Sequence, residues 1–187
     1  MGYGPKLEQV SFLIADDCVP TRQLVRAVLR SFGITMVREA ESGEEALQAI
    51  HARLPDVLIA DWAMEPMTGL QLTKTIRTHP DSPNPFMPII MMTGYSARER
   101  VYRARDAGVT EFLVKPVSPR ALFSRIQAIV EKPRPFIKVG AYFGPDRRRR
   151  RTHWDGEERR GHEGSTWAKL PRLGPMTQTE INKLFNP

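Results

Sequence analysis

The sequence has a single cysteine, Cys18, among its 187 residues, and it has no long apolar run. One cysteine cannot form an intramolecular disulfide, and no group of Cys and His residues has the spacing of a structural zinc site. No apolar segment approaches the roughly 20 residues that span a bilayer, and no apolar run follows a basic stretch at the N-terminus. These absences exclude a disulfide scaffold and a zinc module. We expect a protein of the reducing cytoplasm that makes no membrane contact.

Positive charge is concentrated in the C-terminal third of the chain. Residues 1–130 carry 15 basic and 14 acidic side chains, whereas residues 131–187 carry 13 and 7, so their net charges are +1 and +6. The C-terminal part also contains five consecutive arginines, Arg147 to Arg151. A segment of this composition buries too little apolar surface to offset the entropy of ordering it. We therefore predict one domain over residues 1–131 and a basic, mostly disordered extension over residues 132–187.

Five short apolar runs in the first domain have the length and composition of buried strands. These runs are residues 10–15, 35–39, 57–60, 88–92 and 110–114. The segments between and after them carry apolar residues three and four positions apart, which is the pattern of amphipathic helices. Ser42 and Ser118 are suited to helix N-caps, and Gly33 and Gly108 to helix ends. Strands that alternate with helices predict an α/β fold, a five-stranded parallel sheet with helices on both faces.

Polar side chains stand at the ends of four of these strands. Asp16 and Asp17 follow the first strand, Asp61 ends the third, Thr93 ends the fourth and Lys115 follows the fifth. Ligands of open parallel sheets bind beyond the carboxyl ends of the strands, so we expect these side chains to converge there. Any one of them alone is equally well explained as a turn residue, a helix cap or a solvated loop residue. Their occurrence together at one edge is what indicates a functional site.

The three carboxylates of this set require a cation. Two unit charges about 4 Å apart repel by about 4 kcal/mol at an effective dielectric constant of 20. Oxygen ligands at a small open site favour a hard ion that retains several waters, and Mg²⁺ fits this description better than a fully caged Ca²⁺. A metal, an ammonium and a hydroxyl around a carboxylate suit phosphoryl transfer, with the carboxylate as nucleophile.

Residues 7–131 resemble the receiver domain of two-component response regulators, of the chemotaxis-regulator type. The resemblance is carried by Asp16-Asp17, by Asp61 in Asp-Trp-Ala-Met-Glu-Pro-Met-Thr-Gly, by Thr93-Gly94 and by Lys115-Pro116. It implies a flavodoxin-like fold. It also implies a phosphoacceptor regulator rather than an enzyme, one that assists only its own phosphorylation and dephosphorylation.

The resemblance implies a role for each acidic residue. Asp61 is expected to be the phosphoacceptor. Asp17 and Asp61, with the backbone carbonyl of Ala63, are expected to hold Mg²⁺, and Asp16 to act through a bound water.

The resemblance also implies how the signal is formed and exchanged. Lys115 is expected to contact the phosphoryl oxygens, and Thr93 to move toward one of them. Phe112 occupies the position of the family's switch aromatic, although a place in the core explains it equally well. The implied partners are a histidine kinase or histidine phosphotransfer protein and an unidentified downstream protein, and the family offers a homodimer as a further alternative.

The basic extension contains an imperfect repeat that suggests a contact surface. Residues 142–148 and 154–160 both follow the pattern aromatic, any, Gly, any, acidic, Arg, Arg. The expected contact residues are Arg147, Arg148, Arg159 and Arg160. Clustered arginines with aromatics also suit nucleic acid, so a nucleic-acid-binding regulator gated by the receiver is the alternative function. Residues 177–185 are a candidate short amphipathic helix.

Overall fold

The structure is a computed structural model, and it describes residues 7–94 and 97–146. A short 3-10 turn, Leu7–Gln9, opens this part of the chain. The strands are β1 (Phe12–Ala15), β2 (Val37–Ala40), β3 (Val57–Asp61), β4 (Ile89–Thr93), β5 (Glu111–Val114), β6 (Phe136–Val139) and β7 (Tyr142–Pro145). The α-helices are α1 (Val19–Ser31), α2 (Gly43–Ala52), α3 (Gly69–Thr78), α4 (Arg98–Asp106) and α5 (Pro119–Glu131). None of the helices in the described ranges is long and apolar enough to cross a membrane.

The first five strands form one parallel sheet in the order β2-β1-β3-β4-β5. Each strand begins within two residues of its sequence-predicted start, and the five helices connect or follow them as predicted. The flavodoxin-like architecture is therefore confirmed. Because every strand runs the same way, all five carboxyl ends lie along one edge of the sheet.

The sheet is buried on both faces, which explains why its strands read as continuous apolar runs. In β1, Phe12 and Ile14 pack with α1 and α5, whereas Leu13 and Ala15 pack with α2 and α3. All four side chains are fully buried. Successive side chains of a strand point to opposite faces of the sheet. Helices α1 and α5 cover one face, and α2, α3 and α4 cover the other.

The residues predicted to begin and end helices do so in the structure. Ser42 and Ser118 are N-caps whose side chains accept hydrogen bonds from the backbone of the first turn. Gly33 and Gly108 follow α1 and α4 with φ angles of 81° and 92°, a conformation that strains residues with a Cβ. The four predicted cap residues are confirmed.

The first part of the predicted extension contains a β-hairpin. Within residues 132–187, which the sequence predicts to be mostly disordered, β6 and β7 form an antiparallel hairpin. Gly140, with φ 57°, and Ala141 supply its two-residue turn. Prolines and the arginine run dominate the composition of this region. The two four-residue strand segments between them are too short to change the prediction that composition makes. The hairpin, Phe136–Pro145, thus lies within the segment predicted to be the extension, and that segment from residue 147 onward is outside the described residues.

Two glycines allow the hairpin to dock against the rest of the domain. A Cβ on Gly144 would lie 2.8 Å from the Cα of Gly108, and a Cβ on Gly108 would lie 2.8 Å from the carbonyl oxygen of Phe143. Both distances are shorter than real Cβ contacts, so the two backbones can touch only because neither residue has a side chain. This contact lies beside the loop that leads into β5, at the end of the sheet away from the acidic residues.

Aromatic and charged side chains complete the hairpin interface. The ring of Phe86 lies 5.3 Å from that of Phe136 and 5.2 Å from that of Phe143, both edge to face. Arg134 donates to the carbonyl of Thr110 and lies 3.8 Å from Glu111, which also pairs with Arg125 at 3.1 Å. The hairpin is therefore attached to the parallel-sheet domain by apolar, ionic and backbone contacts.

Truncation should show whether the hairpin stabilises the domain. We expect a chain ending at residue 131 to melt roughly 5 to 10 °C lower than a chain ending at residue 146. The shorter chain loses the partly buried rings of Phe136 and Phe143 and the cover that the hairpin gives to Gly108, a cost of about 2 kcal/mol. Thermal unfolding followed by circular dichroism measures this difference. Equal melting temperatures for the two truncations would contradict a docked hairpin.

Several predictions fall outside the described residues. These are the contacts of Arg147, Arg148, Arg159 and Arg160, the second copy of the repeat and the helix at residues 177–185.

Candidate functional site

The sheet register brings the predicted site residues to one edge. Ala15 of β1 pairs with Ala60 of β3, and Thr93 of β4 pairs with Val114 of β5. The residues that end or follow these strands are therefore side by side. The convergence of Asp16, Asp17, Asp61 and Lys115 predicted from the sequence is confirmed by the contacts among them.

Asp16 directly follows β1, and its side chain is fully buried. Its Oδ1 accepts a hydrogen bond from the N–H of Cys18 at 2.9 Å, and its Oδ2 lies 2.8 Å from Lys115 Nζ. Burial raises the pKa of the Asp16 carboxyl because the charged form loses its hydration, and the two donors oppose this rise. The charge on Asp16 therefore depends on Lys115 and on the Cys18 N–H.

Asp61 is the last residue of β3 and is 5% exposed. Its Oδ1 lies 2.8 Å from Lys115 Nζ, and its Oδ2 accepts a hydrogen bond from the N–H of Ala63 at 2.9 Å. Since each oxygen has a donor, the orientation of the carboxylate is fixed. The described contact of Ala63 is made through its N–H, and its carbonyl as a metal ligand stays a prediction.

Asp17 completes the acidic cluster on the solvent side. One oxygen from each of Asp16, Asp17 and Asp61 can be chosen so that all three lie within 4.8 Å of one another, and Asp17 is exposed whereas the other two are buried. Two charges at 4.8 Å repel by roughly 3.5 kcal/mol at an effective dielectric constant of 20, so the cluster needs a cation. Three carboxylates with one side open to water fit Mg²⁺, which binds few protein oxygens and keeps its remaining waters.

Lys115 is the cation that the protein itself supplies. It follows β5, and its Nζ lies 2.8 Å from Asp16 Oδ2 and 2.8 Å from Asp61 Oδ1. Burial by itself lowers the pKa of Lys115, but the hydrogen bonds to the two carboxylates outweigh it and the pKa is raised overall. Lys115 therefore remains an ammonium between the two buried acids.

Replacing Lys115 with methionine should make the stability of the protein depend on divalent metal. Two buried carboxylates then lack their shared cation, and breaking a buried ion pair costs about 3 kcal/mol or more. We expect urea unfolding in EDTA to show this loss at pH 7, and Mg²⁺ to restore part of it. Lys74→Met, which removes an exposed lysine from α3, is the matched control.

The same substitution should change the response to alkaline pH. The folded-state pKa of Lys115 lies above its unfolded value of 10.5, so its stabilising effect is complete below pH 10.5. That effect is lost as the pH rises through the folded-state pKa, and the methionine variant should lack this alkaline loss. A variant as stable as the wild type in EDTA would contradict the role of Lys115 as counterion.

Thr93 and Phe112 lie on the neighbouring strands, as predicted. Thr93 is 1% exposed at the end of β4, and its carbonyl accepts a hydrogen bond from the Lys115 N–H at 2.8 Å. Phe112 of β5 is fully buried in a cluster that includes Met91 and Val101. The place of Phe112 in the core is confirmed. Its switch role, and that of Thr93, stay predictions.

Sequence reasoning missed one buried charge beside the site. Arg22 of α1 is 4% exposed, and its Nη1 donates to the backbone carbonyl of Asp16 at 2.7 Å. Arg22 lies three and seven residues before Val25 and Leu29, so it shares the apolar face of its helix. A charge at that position is the signal that could have revealed it.

Comparisons with known proteins agree with the geometry. The family described as response regulator receiver domain matches residues 12–127. A chemotaxis protein CheY from Pseudomonas aeruginosa is 33% identical over 123 residues, which cover 66% of this chain and 98% of that protein. Chemotaxis protein CheY-3 from Vibrio cholerae is 32% identical over 125 residues, which cover 67% and 95%. The solved structure of chemotaxis response regulator CheY4 of Vibrio cholerae matches with a TM-score of 0.59 and 33% identity, over 64% of this chain and 98% of that one. The family match ends before β6, so the hairpin lies beyond it.

Proposed function

The chain belongs to the response regulator receiver family, and from this premise we propose that Asp61 is the phosphoacceptor of a two-component phosphorelay in the cytoplasm. The donor is the phosphohistidine of a histidine kinase or of a histidine phosphotransfer protein. Members of the family are phosphoacceptor regulators rather than classical enzymes, and we propose that this chain assists only its own phosphorylation and dephosphorylation.

One observation carries the proposal. Both oxygens of Asp61 are held by donors, Lys115 Nζ on one and the Ala63 N–H on the other. A carboxylate fixed in this way at the carboxyl edge of the sheet, beside an exposed Asp17, is oriented for attack on a group that arrives from solvent.

The proposed transfer needs little covalent chemistry from the protein. A carboxylate oxygen of Asp61 forms a bond to phosphorus while the bond from phosphorus to the histidine nitrogen of the donor breaks. The electron pair of that bond remains on the nitrogen, which can then take up a proton. An ammonium has three N–H donors, of which Lys115 directs two at Asp16 and Asp61, so the third can contact a phosphoryl oxygen.

The acidic cluster fits a magnesium ion in this role. When bound, Mg²⁺ would neutralise negative charge on the carboxylates and on the phosphoryl oxygens. Asp17 and Asp61 would hold the ion with the carbonyl of Ala63, and Asp16 would act through a bound water. The exposure of Asp17 supports this assignment because it leaves a path for the ion and its waters.

The proposed output is a population shift that starts at Thr93. Phosphorylated Asp61 attracts the Thr93 hydroxyl, and the movement makes room for Phe112 to repack. Thr93 and Phe112 lie on adjacent strands, and Phe112 packs against Val101 of α4. This contact supports a change on the surface formed by α4, β5 and α5, which would bind a downstream protein or a second copy of the chain.

The alternative function is nucleic-acid binding through the arginines of the extension, Arg147, Arg148, Arg159 and Arg160. A salt titration distinguishes this function from signalling through protein contacts. Binding of the full chain to generic DNA or RNA that is tight in low salt and falls steeply as salt is added would favour the alternative. Weak binding already at low salt favours protein contacts.

Amide NMR of the full chain tests the proposed function. Mg²⁺ should shift the signals around Asp16, Asp17 and Asp61, and beryllofluoride added with Mg²⁺ should then shift those around Thr93 and Phe112. Beryllofluoride is a stable analogue of a phosphoryl group, so its effect does not depend on the cognate kinase. Spectra unchanged by both additions would overturn the proposal.

A further inference from the structure

We propose that Arg22 is a positioning residue for the acidic site, which it orients through the backbone carbonyl of Asp16. The magnesium part of this inference rests on the proposed function. Arg22 touches none of the three site carboxylates in its described contacts. It acts on the turn that carries two of them.

Arg22 connects three segments of the chain at the carboxyl edge of the sheet. Its Nη1 donates to the carbonyl of Asp16 at 2.7 Å, its Nε to Glu39 Oε2 at 3.2 Å and its Nη2 to Glu41 Oε1 at 2.6 Å. Glu39 belongs to β2, and Glu41 belongs to the loop that follows it. The planar guanidinium therefore links the turn after β1 to the end of its neighbouring strand.

The contact with the Asp16 carbonyl determines where Asp17 is placed. The carbonyl belongs to the planar peptide group that joins Asp16 to Asp17, so fixing its oxygen fixes the plane of that peptide. The same turn is held by the Asp16 N–H, which donates to Ala40, and by the Cys18 N–H, which donates to the Asp16 carboxylate. Arg22 holds the one carbonyl between the two acidic side chains.

The type of residue at position 22 fits this role. A charged side chain that is 5% exposed is costly to bury unless it is paired, and the two glutamates supply the pairing. Pairing alone would not require the third contact with a neutral carbonyl. Arginine can make all three contacts at once because its five N–H groups point in fixed directions, whereas lysine has one nitrogen.

The chain contains a matched control for this inference. Arg26 lies one turn further along α1 and pairs with Glu39 Oε1 at 2.5 Å. It thus shares a partner with Arg22, and its described contact does not involve the turn at Asp16. Arg22→Met and Arg26→Met remove the same charge from the same helix, and only the first removes the bond to the Asp16 carbonyl.

The experiment uses the full chain with Arg22→Met, Arg22→Lys or Arg26→Met and has two readouts. The first is the amide NMR spectrum of the metal-free protein, in which Arg22→Met should shift the signals of Asp17 and Cys18 and Arg26→Met should not. The second is the dissociation constant of Mg²⁺ by calorimetry. Arg22→Met should raise it about tenfold or more, as expected for the loss of a supporting contact behind metal ligands, and Arg26→Met should leave it within about twofold. Arg22→Lys, which keeps the charge but has a single donor nitrogen, should recover part of the affinity.

The outcomes separate this inference from the proposed function. If the wild type binds no Mg²⁺, the proposed function fails, and the metal-free spectra still decide the role of Arg22. If the wild type binds Mg²⁺ and the two methionine variants give the same spectra around Asp17 and the same dissociation constant, the role of Arg22 is overturned. Should Arg22→Met fail to fold, the decision passes to Arg22→Lys, for which wild-type affinity and wild-type signals at Asp17 and Cys18 would overturn it.

Discussion

Replacing Asp61 with asparagine is expected to abolish labelling of the protein by acetyl phosphate. An amide oxygen is a poor nucleophile and cannot form the acyl phosphate that a carboxylate forms. The other two acids are less well placed. Asp16 has a similar pair of donors, Lys115 and the Cys18 N–H, but it is fully buried, and Asp17 is exposed. Asp61 combines Lys115 and the Ala63 N–H with a side chain that still reaches the surface. Incorporation of radioactive phosphate, or intact-protein mass, should fall from near one group per chain to background.

Misfolding would not explain this loss. Asparagine has nearly the shape of aspartate, and its oxygen can still accept the Ala63 N–H. The substitution also removes one of three clustered charges while Asp16 keeps its contact with Lys115. We therefore expect the variant to melt at or above the wild-type temperature in EDTA.

Asp81→Asn is the control for a neutralised aspartate away from the site. Asp81 has an 84% exposed side chain and lies in the loop between α3 and β4. It should label like the wild type. Labelling of Asp61→Asn at the wild-type stoichiometry would place the phosphoacceptor elsewhere.

The sheet and the acidic cluster were predictable because their sequence signals are local and redundant. Strands buried on both faces must be apolar at every position, so runs such as residues 57–60 and 88–92 stand out without tertiary information. A parallel sheet then places the polar residues after each strand at a single edge. Asp61 and Lys115 are 54 positions apart in the chain, and the direction of the strands alone predicts that they meet.

The docking of the hairpin and the contacts of Arg22 were not predictable, for the opposite reason. Each is stabilised by contacts with residues distant in sequence: Gly144 with Gly108, and Arg22 with Glu39 and Glu41. A two-stranded hairpin of four-residue strands has no stability of its own, so its pattern is weak and depends on the surface that it covers. The amino-acid composition of a segment indicates whether it folds alone. It does not show whether another part of the chain offers a surface on which the segment can fold.

Replacing Gly69 with alanine should destabilise the protein, although helix propensity predicts the reverse. Gly69 is the first residue of α3, where alanine would normally add up to about 1 kcal/mol. A Cβ at this position would lie 2.0 Å from the carbonyl oxygen of Asp61 and 3.0 Å from the sulfur of Met91. The first contact is with backbone and far inside van der Waals distance. We expect a loss of about 3 kcal/mol in urea unfolding, the upper end for an added methyl group in a packed core.

We expect a loss of stability because neither β3 nor α3 can move away from the added methyl group without losing hydrogen bonds. Asp61 ends β3, which is hydrogen-bonded between β1 and β4, so its carbonyl cannot retreat without breaking the sheet. Helix α3 can retreat only by losing the bond from the Gly69 N–H to the carbonyl of Trp62. Either movement disturbs the strand end that presents the phosphoacceptor, so the labelling rate should fall with stability.

Gly94→Ala separates the steric effect from the general effect of replacing glycine. No described atom lies within 4 Å of a Cβ at position 94, and the φ angle of Gly94 is not positive. We expect its stability to stay within about 0.5 kcal/mol of the wild type. A Cβ on Gly69 would lie 2.0 Å from the Asp61 carbonyl oxygen. If Gly69→Ala were as stable as Gly94→Ala, the start of α3 would have to lie farther from β3 than this distance allows. Since α3 begins eight residues after Asp61, that result would also remove the steric reason for the glycine that closes the Asp-Trp-Ala-Met-Glu-Pro-Met-Thr-Gly segment.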